Sequence, residues 1–140
     1  MRIRIARRSL ERIKRRLRQE TRRNCGRSMG EVLERLSPVI VGWVNYFALA
    51  DAKGHMERLD EWQRRRLRQV QWKQWKTPRN RYRNLRALGV SKYWAIRVGG
   101  SSKGCWRMSV SPPLQQALDK AFLHSLGLKS FLKQYQLRHT

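Results

Sequence analysis

WQRRRLRQVQWKQWK, from Trp62 to Lys76, carries six basic residues, three tryptophans and no acid. A core rejects the charges and a solvated face has no use for the rings, so geometry has to separate them. A helix does so. From about Met56 to Lys76, side chains three and four apart share a face, which gathers Met56, Leu59, Gln63, Leu67, Val70 and Gln74 on one side. Arg65, Arg68, Trp72 and Trp75 gather on the other, and Thr77-Pro78 stops the helix. This second face admits two readings. Its arginines hold phosphates while Trp72 and Trp75 stack on bases, or the two rings pack as a second core layer. Arg64, Arg65 and Arg68 are candidates for phosphate contact under either reading.

The rest of the chain also reads as mainly α. Ile3, Ala6, Leu10, Ile13 and Leu17 form a narrow apolar stripe on an N-terminal helix otherwise covered by arginine. Ser28 and Glu31 have the spacing of a capping box, opening a helix that meets Ser37-Pro38. There Ser37 is expected to cap a new helix with Pro38 in its first turn. VIVGWVNYFALA is apolar nearly all round and reads as buried, with Leu36, Ile40, Trp43 and Phe47 on one face. Gly42 marks a close approach, and Asn45 and Tyr46 are expected to bond within the core. RYRNLRALGV reads as a short helix ending at the C′ glycine Gly89. Trp94, Ile96 and Val98, then Trp106, Met108 and Val110, alternate around GGSSKG, which suggests a short β-hairpin near residues 93–110. Ser111-Pro112-Pro113 opens a last helix with Leu114, Leu118, Ala121 and Phe122 inward and Gly127 as its stop. The expected organisation is one domain over residues 1–140: a basic N-terminal helix (1–27), a helical core (28–90) and a C-terminal segment (91–140).

Lys and Arg number 33 against nine Asp and Glu, a formal charge of +24. Such a charge points to a polyanion, nucleic acid first and an anionic membrane surface second. With 24 Arg to nine Lys, planar forks that bind phosphate and stack on rings dominate, which favours structured RNA. A hydrophobic share of 40% argues against a disordered basic tail. Cys25 and Cys105 are isolated thiols that fit a reducing compartment, and His55, His124 and His139 are scattered, so neither a disulfide framework nor a metal site is expected. No apolar run has the length of a membrane span, and the Arg-rich start continues into the first helix rather than reading as a leader. The expected location is a bacterial cytoplasm, with an organelle as the alternative.

Catalytic chemistry is not legible. GGSSKG lacks the spacing of a nucleotide loop. Of the nine acids, only Asp60-Glu61 are adjacent; neighbours on a helix diverge, so surface ion pairs with Arg64 and Arg65 are the expectation. No pair of carboxylates can hold two metal ions, so no cofactor and no catalysis by this chain alone are expected.

LSPVIVGWVNYFALAD, LDEWQRRRLRQVQWKQWK, NLRALGV and SKGCWRMS, in that order and spacing, resemble the maturase-specific region (domain X, or thumb) of group II intron reverse transcriptases. The likeness runs from about Arg8 to Tyr135. It implies a helical, thumb-like domain that contacts group II intron RNA, aids its splicing-competent fold and helps grip template–primer duplex. Arg12, Arg15, Arg64, Arg65 and Arg68 would then hold the RNA backbone, with Trp72, Lys73, Trp75 and Lys76 completing the expected RNA-binding set. The family's palm, with its metal-binding aspartates, is not in this sequence, so reverse transcription would need a palm-containing chain as partner. The competing readings are a non-catalytic subunit or remnant of a split reverse transcriptase acting through protein contact, and a generic DNA or RNA polyanion binder. A membrane-surface role fits poorly, because the tryptophans lie on the charged side of the helix.

Overall fold

Both faces of the Trp62–Lys76 helix are used, and the architecture is built around that fact. A computed structural model describes residues 4–22 and 26–138; Ile3, Arg23, Cys25 and His139 lie outside them. The regular elements among the described residues are all helical: α1 (Arg7–Glu20), α2 (Met29–Tyr46), α3 (Lys53–Trp75), α4 (Pro78–Ala87), α5 (Lys92–Gly99), α6 (Cys105–Met108), α7 (Pro112–Ala117), α8 (Lys120–Ser125) and α9 (Phe131–Leu137). On one side of α3, Met56, Leu59, Leu67 and Val70 pack with Leu17 of α1, Leu36, Ile40 and Val44 of α2 and Phe131 of α9. At its other end Trp72 is the centre of a second cluster, with Leu85, Val90, Ala95, Met108, Leu114 and Leu118. Each such side chain contributes roughly 1.5–3 kcal/mol on leaving water.

The helix ends follow from short-range chemistry. Ser28, Thr77, Ser91, Asp119 and Ser130 each accept a backbone N–H at a helix start. Gly89, at φ +94°, lets Val90 N–H reach the Leu85 carbonyl at 2.9 Å, the Schellman closure of α4. Gly127, at φ +111°, closes α8 in the same way, as expected.

Several expectations are corrected. No hairpin forms over 93–110: both runs are short helices, α5 and α6. Ala95 with Val98, and Cys105 with Met108, are the buried pairs, so a spacing of three replaces the apparent alternation. Gly99 makes this packing feasible. A Cβ there would lie 3.2 Å from Tyr82 N and 3.3 Å from the Pro78 carbonyl, so α5 approaches α4 backbone to backbone. The close approach expected at Gly42 is absent, since a Cβ at Gly42 would meet nothing within 4 Å.

Pro38 does not start a helix; α2 runs through it. Pro38 and Glu34 lie on the exposed side, where a freed carbonyl meets water, while Leu36, Ile40 and Val44 hold the opposite side in the core. Ser37 donates to the Leu33 carbonyl at 3.1 Å instead of capping. The end of α2 is not buried all round: Asn45 is exposed and Tyr46 is 82% exposed. The expected last helix is two, because the Asp119 carboxylate accepts Phe122 N–H at 2.8 Å and restarts the chain as α8, leaving Ala121 exposed.

Asp60 is not a surface ion-pairing residue. It is buried, and its carboxylate accepts Ser130 Oγ–H and Phe131 N–H at 2.7 Å each and Leu132 N–H at 3.0 Å. It thus caps α9 from another helix. At the other end of α9, the Tyr135 hydroxyl donates to the Ala50 carbonyl at 2.6 Å, just before α3. The Asp60→Ala variant leaves these donors buried without an acceptor and is expected to lose about 2–4 kcal/mol in urea unfolding. Asp60→Asn, which retains acceptor oxygen, should lose less. A midpoint unchanged by Asp60→Ala would show that α9 is held by packing alone. Gly99→Ala should cost about 1–3 kcal/mol by overpacking α4.

Candidate nucleic-acid interface

The arginines of α3 first have to be divided by what they already hold. The final carbonyls of a helix have no partner within it, and a cation there also meets the negative end of the helix dipole. Arg65 donates through Nη2 to the Trp106 carbonyl at 3.1 Å and through Nε to Ser109 Oγ at 3.1 Å, at the end of α6. Arg68 donates to the Leu118 carbonyl, just past α7, at 2.9 Å. Arg66 holds the Thr21 carbonyl and hydroxyl, just past α1, at 3.2 Å each. Arg81 holds the Trp72 carbonyl, in the last turn of α3, at 3.1 and 3.2 Å. Burial and the neighbouring Arg64 lower the Arg68 pKa, with Asp119 opposing; burial and Arg18 lower that of Arg66.

Trp72 is 0% exposed, and its indole N–H has no acceptor, so the ring serves as volume. Trp75 is partly buried against the same cluster, its ring edge-on to Trp72 at 6.1 Å. Of the two readings of this face, the second core layer is the one realised for Trp72; as a stacking surface for bases it is corrected. Two-sided burial of α3 is the reason, since the ring fills the space between α4, α5 and α7.

The remaining expected residues are accessible. Arg12 and Arg15 stand exposed on α1, and Lys73 and Lys76 are exposed at the end of α3. Arg64 is half-buried. None of these five makes an ion pair among the described residues. By contrast Arg16, Arg27 and Arg35 converge on buried Glu20 at 3.6, 3.5 and 3.1 Å, tying α1 to α2, and are structural.

The tertiary structure adds a site that sequence spacing missed. Trp62, half-buried between α1 and α3, is approached by Lys14 Nζ at 5.8 Å, Arg18 at 5.3 Å and Arg66 at 5.7 Å from its ring centroid. Arg66 also lies 6.0 Å from the Trp106 ring, over which the Arg65 guanidinium sits at 3.7 Å. The result is a ladder of alternating cations and indoles: Lys14 and Arg18, Trp62, Arg66, Trp106, Arg65. Lys14, Arg18 and Arg66 have no carboxylate partner among the described residues. Ring quadrupoles stabilise each cation without neutralising it, so the cluster keeps its capacity for an anion. The signal that could have found it is the spacing of Lys14 and Arg18, four apart on the side of α1 next to its apolar stripe.

The charge distribution reinforces the geometry. From Trp62 to Leu118 there are fourteen Lys and Arg and not one Asp or Glu. No group of three or more His, Cys, Asp or Glu among the described residues could hold a metal ion. No helix among them is long and apolar enough to cross a membrane.

Residues 10–94 match the family model described as group II intron, maturase-specific domain. The chain belongs to that family. No curated protein matches it. The matched stretch of the maturase-specific domain includes Lys14, Arg18, Trp62, Arg65, Arg66 and Trp72, the cations and rings of α1 and α3. It ends inside α5, so Trp106, which completes the ladder, and α6–α9 lie beyond it.

Trp72→Ala removes a fully buried ring and should cost about 3–5 kcal/mol in urea unfolding. Trp62→Ala, at a half-buried position, should cost less than half as much. Equal losses would mean that Trp62 is a core residue rather than part of an accessible site.

Proposed function

We propose that this maturase-specific domain binds RNA, gripping group II intron RNA to assist its splicing-competent fold and, beside a palm-containing chain, template–primer duplex. The observation that carries the reading is the cluster of Lys14, Arg18 and Arg66 around Trp62, three cations with no carboxylate partner among the described residues. Phosphate oxygens are the chemistry such a cluster lacks, and Arg12, Arg15, Arg64, Lys73 and Lys76, without an ion pair among the described residues, offer further contacts. The chain acts in this reading by binding and positioning, not by catalysis. Its partner RNA neutralises a charge of +24, so affinity is largely electrostatic.

A second reading rests on a separate observation. Tyr46 is 82% and Leu49 86% exposed at the end of α2, a surface suited to protein contact, as in a subunit of a split reverse transcriptase. Leu49→Lys would then weaken association with a palm-containing chain and leave RNA affinity unchanged.

The test of the RNA reading is binding to a group II intron RNA, a random RNA of equal length and duplex DNA across a salt series. The expected outcome is intron binding that survives moderate salt while the other two fade. Lys14→Ala with Arg18→Ala should weaken it and reduce the salt slope by roughly one to two units. Identical affinity and slope for all three nucleic acids would leave only a generic polyanion binder.

A further inference from the structure

Beyond the phosphate-binding surface, the helix α5 carries a group of rings that the fold leaves uncovered. Tyr93 is 58% and Trp94 49% exposed. Their rings meet edge to face, with centroids 5.1 Å apart and planes at 79°. Arg97 Nη1 donates to the Tyr93 hydroxyl at 2.7 Å, and its guanidinium lies 5.5 Å from the Tyr93 centroid and 6.0 Å from that of Trp94. The arginine holds the corner made by the two rings, so the cluster is ordered while remaining accessible. Beneath it, Ala95, Val98 and Gly99 hold α5 against α4 through a close backbone contact, in which a Cβ at Gly99 would lie 3.2 Å from Tyr82 N. The platform is therefore rigid, and little order has to be created when something stacks on it.

We propose that Tyr93, Trp94 and Arg97 form a stacking platform for an unpaired base of bound RNA. This rests on the RNA-binding reading and extends it from phosphate contact to single-stranded nucleotides. The occupant must be both flat and anionic. It must be anionic because the platform lies in the acid-free stretch between Trp62 and Leu118, with Lys92 beside it and Lys103 on the next loop. It must be flat because the platform is a pair of half-exposed aromatic rings joined by a planar guanidinium. Paired bases hide their faces within the stack, so a loop, bulge or end is the part of an RNA that can meet it. An anionic bilayer offers charge but no flat partner, and α5, with Arg97 bonded to Tyr93, presents its cation on the same face as its rings.

The experiment uses the full chain and two RNAs: a hairpin with 2-aminopurine in its unpaired loop, and a blunt duplex of similar length with 2-aminopurine paired. Binding of the hairpin is expected to quench the loop fluorophore. Trp94→Ala and Tyr93→Ala should relieve the quenching and weaken hairpin binding on the order of tenfold per ring, with duplex affinity unchanged. Trp94→Phe, which retains a face, should restore most of the loss. Urea midpoints within error of the unmodified chain will establish that the half-exposed rings were removed without unfolding. Unchanged quenching and affinity in both Ala variants would overturn the platform while leaving RNA binding intact. Failure of the unmodified chain to bind either RNA would overturn both readings. Loss of binding to anionic lipid vesicles in Trp94→Ala, with hairpin binding unaltered, would reassign the patch to a membrane surface.

Discussion

The fold depends on arginines that close helix ends. Every helix, long or short, leaves its last carbonyls without a partner inside it, and this fold has many helix ends for its length. Arg66, Arg81, Arg65 and Arg68 reach those carbonyls at the ends of α1, α3, α6 and α7. A guanidinium suits the task because its fork reaches two acceptors at once, as Arg65 and Arg66 do, and because it keeps its charge when half-buried. Three of these four arginines lie on α3, so one helix nails three neighbours to itself. Asp60, on the same helix, performs the opposite operation at the N-terminus of α9, where a negative charge is favoured.

This arrangement explains how a chain of charge +24 folds with so few acids. Part of its positive charge is matched by carbonyl dipoles and ring quadrupoles rather than by carboxylates. Glu20 is the one carboxylate with several cations among the described residues, and it fixes the α1–α2 corner. Apart from these cations, from Arg7, which pairs with Glu11 at 3.2 Å, and from Arg68, which lies near Asp119, the Lys and Arg side chains make no ion pair among the described residues, so the field of the folded molecule stays strongly positive. The same residues can then serve two ends. Arg66 holds the Thr21 carbonyl and still faces the cluster at Trp62. On α3, holding a helix-end carbonyl and lining the cation–indole cluster are thus not divided between separate arginines, and substitution of Arg66 will affect both.

The family match and the structure divide the molecule at different places. Residues 10–94 contain most of the first core, but of the second only Trp72, Leu85 and Val90 among its fully buried members, and the carbonyls held by Arg65 and Arg68 belong to Trp106 and Leu118, outside the matched stretch. The α3 arginines inside the matched stretch are therefore completed by a segment beyond it. Trp106 has the same status: it extends the cation–indole ladder from the far side of that limit.

The sequence by itself determined that the chain is helical, where α3 runs, and that Gly89 and Gly127 end helices. Those features depend on residues three or four apart, or on a single backbone conformation, and so are written locally. It also determined the charge, and with it the class of partner to consider. It misplaced the strands expected near 93–110, because alternating Trp94, Ile96 and Val98 is compatible with either period over so short a run, and Gly99 settled the matter only through contact with α4. It left Trp72 between core and surface, since a helix face has no inside until a neighbour covers it, and it read Asp60 as exposed for the same reason. The cluster around Trp62 lay further still from view. Lys14, Arg18, Trp62, Arg66 and Trp106 come from three helices, and only tertiary packing brings each of these charges to within 6.0 Å of a ring.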